Sequence, residues 1–313
     1  MKRSVAHVLC YTLALAALLA AGSALAANSP ITLEQATNIA KAFVGAERAG
    51  ELSYTGIVLR KGFPPLASCY RFKLPLHLSD EGKPLKAELL IDEKTGRVLQ
   101  YDSGYSYEWA KWKGKEKPPE NELISEAKAK EIVLRALAQA GIPSEGMRVA
   151  YTKSVRSNVA NNYSITYSKW VQVQDVGDVE IPVVVLTQVD AATGELFNFI
   201  YKEWPVVAPL VPPKVSRDRA VELVKEKQYL KDVSAVGDVH LKVDFDLQGI
   251  SKEEAELEDD DYPRFYAEVE MKRQVLAWEV SLKGTHPFMK EIVDLTALVD
   301  ANTGDVFDYN MPM

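Results

Sequence analysis

The residues with the chemistry for catalysis are few and scattered. His77, His240 and His286 lie far apart in the chain and lack the paired helical spacing with which a zinc peptidase holds its metal. Cys69 lies eight residues before His77, so a thiol with its base is conceivable, but a lone cysteine among apolar neighbours reads as core packing. A Gly-x-Ser-x-Gly nucleophile elbow and a phosphate-binding glycine loop are both absent from the sequence. From Glu253 to Asp261 seven of nine residues are acids. That run could collect divalent cations, although like-charge blocks form solvated, mobile loops more often than sites.

The richest candidate is a string written three times: "IDEKTGRVLQY" from Ile91, "VDAATGELFNF" from Val189 and "VDANTGDVFDY" from Val299. Its last copy offers Asp300, Asn302 and Asp305 as oxygen ligands. A calcium loop of the EF-hand kind, however, wants its glycine at the sixth position and a distant bidentate glutamate. Here the glycine is fifth, and Lys94 and Ala192 replace Asn302 in the other copies. The turn reading accounts for the whole motif. Gly96, Gly194 and Gly304 supply positive φ at the end of a tight hairpin turn. Asp92, Asp190 and Asp300, with Thr95, Thr193 and Thr303, can bond backbone groups within it. No metal or other cofactor is expected.

What must position these turns is visible upstream. Each string has a matching head, "ITLEQATNIA" at Ile31, "ISEAKAKEIV" at Ile124 and "VSRDRAVELV" at Val215. Thr32, Ser125 and Ser216 read as helix N-caps with an acid in the following turn, and Thr32 with Gln35 as a capping box. Ala36, Ile39, Ala40 and Phe43 form one apolar stripe, Ala129, Ile132, Val133 and Ala136 another. The third head keeps Ala220, Leu223 and Val224 but meets Lys227, which predicts a shorter or more exposed helix. Alternating residues before each turn predict a strand. Leu99 with Tyr101, Phe197 with Phe199, and Phe307 with Tyr309 then place large side chains on the face expected to meet the helix.

Heads and strings are 60, 65 and 84 residues apart, the last stretched by the acidic insertion. The expected fold is α+β: three repeats, each an N-terminal helix packed on an antiparallel sheet ending in an Asp-x-x-Thr-Gly hairpin. "KWKGKEKPPENE" from Lys111 and "PVVAPLVPP" from Pro205 read as semi-rigid linkers. They place the units at 27–113, 114–207 and 208–313. Residues 1–26 read as a secretory signal peptide, with Lys2 and Arg3, an apolar run from Val8 to Ala21 and the small-residue triplet before a cleavage point after Ala26.

Cleavage would leave Cys69 as the sole cysteine, so no disulfide could staple the fold and stability must come from buried cores. The formal charge of −7 becomes more negative without Lys2 and Arg3, which argues against nucleic acid or an anionic membrane as partner. No later stretch is long and apolar enough for a membrane span. Near the first string Tyr105, Tyr107 and Trp109 alternate, with Trp112 close by. Flat aromatics of this kind anchor protein partners or stack on cell-wall sugars, and they are the residues expected to bind a partner if any do.

Head and string together resemble the PepSY family, and also the related YcdB/YcdC-type repeats of secreted bacterial proteins. The resemblance spans nearly all of the chain after residue 26, and the "VDAxTGxV" hairpins are its most specific part. It implies an extracytoplasmic, non-enzymatic module, since PepSY domains occur in propeptides of thermolysin-type peptidases and in secreted or membrane proteins, where they have been thought to restrain peptidases. No catalytic domain follows the units in this sequence, so inhibition would act in trans. The expected function is therefore a secreted binding protein that modulates an extracellular peptidase or other envelope protein, in the cell wall or periplasm. The competing expectation is a structural repeat protein associated with wall glycan.

Overall fold

Three hydroxyl-bearing residues start three helices. Thr32, Ser125 and Ser216, all in extended backbone, accept the N–H of the residue three positions on. They begin α1 (Leu33–Val44), α2 (Glu126–Gln139) and α3 (Arg217–Lys227). Thr32 and Gln35 bond reciprocally as a capping box. The apolar stripes turn inward: Ala36, Ala40 and Phe43 of α1, Ala129, Val133 and Ala136 of α2, and Ala220 and Val224 of α3 are buried.

The computed structural model describes residues 30–46, 48–61, 64–74, 87–103, 120–156, 161–228, 230–286, 288 and 290–310. Within them twelve strands form one branched sheet. Strands β1 (Ser53–Leu59), β2 (Ser68–Lys73), β3 (Ala87–Asp92) and β4 (Val98–Ser103) follow α1. After α2 come β5 (Met147–Arg156), β6 (Asn161–Val173), β7 (Gly177–Asp190) and β8 (Leu196–Glu203). After α3 come β9 (Lys231–Phe245), β10 (Gln274–Thr285), β11 (Ile292–Asp300) and β12 (Val306–Asn310). Each set of four is an antiparallel meander in chain order.

Two joints fuse the sets. The last strands of the first two pair antiparallel, with Tyr101 opposite Phe199. A row of side chains then runs unbroken across six strands, from Phe72 through Leu89, Tyr101, Phe199 and Thr187 to Ile165. All six are buried. Phe43 caps the seam edge-on to both Tyr101 (5.4 Å) and Phe199 (5.5 Å), so the first two helices share one core.

The second joint is made at β7. Its far edge pairs with β8 from Val183 onward and with β9, in parallel, at Val179 and Glu180. Pro182 stands where the partner changes. A proline has no N–H to give a ladder, so it fits the gap between the two, and its carbonyl accepts from Trp204 N–H.

The acidic run is helical rather than a loop. Helix α4 (Lys252–Asp260) opens with a Ser251–Glu254 capping box and acids in its first turn, where the helix dipole favours negative charge. A short turn at Tyr262–Phe265 and a π-helical turn at Tyr266–Glu270 continue it, burying Phe265 and Val269. This insertion reaches back to the second set of strands. The buried Glu270 carboxylate accepts from Trp204 Nε1 (2.9 Å) and from the Tyr262 hydroxyl (3.2 Å). The Pro-rich segment after Trp204 is tied down too, because Gln274 donates to the Pro205 carbonyl and accepts from Val207 N–H.

One expectation about facing fails. Leu99, Tyr101 and Phe199 belong to the core under the first two helices, but Phe197 is buried outside that core and Phe307 packs with Ala277 and Leu298, away from the cluster under α3. The cause is the bulge. It falls at Leu99 and Phe197 in the first two hairpins, but one residue after Phe307 in the third. A bulge moved along the strand reverses the face of the residues it passes.

Candidate functional site

The three Asp-x-x-Thr-Gly strings make the same turn. Asp92, Asp190 and Asp300 each donate their N–H to the carbonyl five residues on and accept from the N–H of Gly96, Gly194 and Gly304. Their carboxylates accept the N–H of Lys94, Ala192 and Asn302 at 2.7–2.9 Å. Thr95 donates its hydroxyl to Asp92 (2.5 Å), while Asp190 and Asp300 take the backbone N–H of Thr193 and Thr303. The threonine hydroxyls accept in turn from Arg97, Glu195 and Asp305 N–H. Both Asp92 carboxylate oxygens, and Oδ1 of Asp190 and of Asp300, thus bond within the turn itself.

Each turn also holds its helix. Ile31, Ile124 and Val215, the residues before the N-caps, donate N–H to Glu93, Ala191 and Ala301 carbonyls at 2.8–2.9 Å. The carbonyls of the same three residues accept from the Tyr70 hydroxyl, the Tyr163 hydroxyl and Trp278 Nε1. Among the described residues no group of three or more His, Cys, Asp or Glu side chains is arranged to hold a metal.

Cys69 is fully buried on β2, its Sγ 3.4 Å from the Ala67 carbonyl. Burial, reinforced by the nearby Asp92 charge, pushes its thiol up to about 12. A thiolate is the nucleophilic form, so this sulfur is inert at neutral pH. For a chain of residues 27–313, in which Cys69 is the one cysteine, we expect no reaction of the native protein with a thiol-specific aromatic disulfide, and one equivalent of reaction after denaturation; rapid labelling of the native chain would refute the placement.

His240 belongs to a polar cluster across the β7–β9 joint. Its Nε2 lies 2.9 Å from Glu180 Oε2, and its ring lies 4.7 Å from Trp170. The Arg148 guanidinium covers the other ring at 4.6 Å and pairs with Asp178. Lys242, opposite Glu180, bonds both Asp244 and Glu279 at 2.9 Å. The Glu180 carboxylate bonds both Ser168 and His240, the reverse of a nucleophile–base–orienter relay. This is a strand joint.

Burial alone would raise the pKa of Glu180, but the His240 hydrogen bond and the Lys242 charge outweigh it and hold the carboxyl below its ordinary 4.5. A depressed folded pKa means that the stabilisation is complete above the unfolded value and is lost as pH falls through the folded one. Stability of the native chain should therefore drop from pH 4.5 downward more steeply than that of Glu180→Gln. Parallel acid profiles for the two in denaturant titrations would remove Glu180 from the account.

His286 sits in the β10–β11 connection, far in sequence from this cluster, and its Nδ1 accepts from Phe288 N–H at 3.3 Å. His77 and the aromatic candidates Tyr105, Tyr107, Trp109 and Trp112 lie outside the described residues, as does the segment 1–26. A feature that sequence reasoning passed over lies at the other end of the sheet. Beside β1, Arg60, Lys61, Arg71, Glu88, Leu90 and Gln100 line a cleft of 230 Å³. Arg60 and Lys61 follow β1 directly and Arg71 lies on β2, so no local pattern in the sequence marks the cleft.

The architecture defines a mixed α+β protein with one large sheet and few helices, none of those described long and apolar enough to cross a membrane. It shares its fold with the Bacillus megaterium YpeB C-terminal domain, at a TM-score of 0.54 and 16% identity over 91% of this chain and 100% of that one. A structure of an uncharacterized protein from Eubacterium rectale is more distant, with a TM-score of 0.39 and 9% identity over 88% of this chain and 82% of that one. No family model matches the sequence, and no curated protein matches it either.

Proposed function

We propose that the chain is a secreted, non-enzymatic binding protein built from three divergent PepSY-like units, and that it modulates an extracellular peptidase or another envelope protein in trans. The observation that carries this reading is the fate of the recurring string. At all three places its aspartate and threonine bond within the turn, while the residue after the aspartate and the glycine meet the helix, so the recurring residues serve architecture, and binding falls to the surfaces between them. The resemblance of heads and strings to PepSY units supplies the class of partner. The fold shared with the YpeB C-terminal domain agrees with that architecture.

Export is the part most simply tested: N-terminal sequencing of protein recovered from the culture fluid or envelope should begin at Ala27. A chain retaining Met1 in the cell interior would end the proposal. For the partner, residues 27–313 immobilised and exposed to the host's secreted and envelope proteins should enrich one peptidase, whose activity then changes on adding the free chain. Enrichment of wall glycan in place of a peptidase would favour a structural, wall-associated role and overturn modulation.

A further inference from the structure

Among the described residues the sheet ends at β1, which is paired with β2 on one side only. Arg60 N–H turns to the Ala67 carbonyl on the β2 side, so by the alternation of an antiparallel ladder the backbone groups of Ile57 and Leu59 point to the open edge. An apolar strand edge of this kind is ordinarily blunted by proline, inward charge or a bulge along its length. The bulge here lies between Tyr54 and Ile57, and beyond it Ile57 and Leu59 are 51% and 54% exposed. The stretch is shaped to receive another strand.

The cleft beside it says which kind. Lys61 and Arg71 present two cations against one acid, Glu88, with the buried Arg60 behind them, in a chain whose net charge is −7. Arg60 is fixed from behind, donating to the Pro64 carbonyl at 3.2 Å and the Tyr201 carbonyl at 2.8 Å. Arg71 is steadied by Thr55 Oγ1 at 3.0 Å, and Lys61 is exposed. Val58 and Leu90 give the cleft an apolar floor. A second copy of this chain pairing through β1 would bring two such cationic corners together, so the charge selects against self-association.

We propose that this corner binds an extended acidic peptide segment of a partner protein, which adds to β1 as a strand and seats a carboxylate side chain against Lys61 and Arg71. Main-chain bonds supply affinity in such strand addition, and the alternate side chains supply specificity. The inference rests on reading the chain as a protein-binding module and names the chemistry of what it binds.

The test uses a fluorescein-labelled heptapeptide of alternating valine and glutamate, read by anisotropy with residues 27–313. One control replaces its glutamates by lysine and another places proline at its centre. Binding of the acidic peptide alone, weakened by added salt, is the expected result. Reversing one charge with Lys61→Glu, at an exposed position, should lower affinity about tenfold, and adding Arg71→Glu should lower it further. Equal binding of the lysine peptide, undiminished binding by Lys61→Glu, or a β1-mediated dimer broken by Ile57→Lys would overturn the site. A peptidase that is still captured by the Lys61→Glu, Arg71→Glu chain would leave the proposed function standing without this corner. Peptide binding with no peptidase captured would do the reverse.

Discussion

Phe199→Ala should destabilise the chain by about 3–5 kcal/mol, the range for removing a fully buried phenylalanine and leaving a cavity. The site favours the upper part of that range. Phe199 is 0% exposed, stands opposite Tyr101 at the β4–β8 seam, and meets Phe43 of α1 edge-on at 5.5 Å. Its neighbours therefore come from two helix-and-sheet sets at once, and neither can collapse into the gap without pulling on the other. Polar contacts around the seam are more exposed and cannot compensate: Arg48 reaches the Tyr101 hydroxyl and Glu195, and Arg97 pairs with Glu203 at 3.0 Å. Equilibrium denaturation by urea, compared with Phe199→Leu and with Phe288→Ala at an 87% exposed position, separates cavity from transfer. Phe288→Ala should leave the midpoint unchanged. A cost below about 1 kcal/mol for Phe199→Ala would mean that the two sets do not share a core.

What the sequence disclosed follows from the range of each interaction. Helix starts were readable because a cap and its first turn are local: Thr32, Ser125 and Ser216 are N-caps in the structure. The apolar stripes were readable because a period of 3.6 decides which face is buried, and Ala36, Ala40 and Phe43 are buried accordingly. The joints were not. Pairing Tyr101 with Phe199 closes a loop of nearly a hundred residues, and nothing at either end states a partner. The parallel contact of Glu180 with Lys242 is also remote in sequence, 62 residues apart, which is why His240 read as an isolated imidazole when it is in fact bonded to Glu180.

The acidic insertion misled for another reason. Charge composition pointed to a loop, while a single local arrangement, Ser251 with Glu254, was enough to start α4. The direction of Phe307 turned on where one extra residue was accommodated in a strand, which hydrophobic alternation does not specify. The β1 cleft was hidden because Lys61, Arg71 and Glu88 come from three separate segments.

Gly194→Val should cost about 2–4 kcal/mol, combining a left-handed backbone that a β-branched residue resists with overpacking against the helix. Gly194 has φ +73, and a Cβ there would lie 3.2 Å from Ile132 Cδ1. Gly96 and Gly304 meet Ile39 and Leu223 at 3.2 and 3.3 Å with φ of +72 and +82, so their valine variants should fall in the same range. Gly249 supplies the control. Its φ is +65 but no atom lies within 4 Å of an added Cβ, so Gly249→Val carries the backbone strain without the steric contact. The difference between Gly194→Val and Gly249→Val, read from urea midpoints, therefore isolates the helix-docking component. A glycine needed only for its turn would give no difference. A clear excess at the three string positions would show that the fifth residue is glycine for two reasons at once: the hairpin requires positive φ, and the helix begun by the matching head packs directly on it. That double demand is why heads and strings recur together.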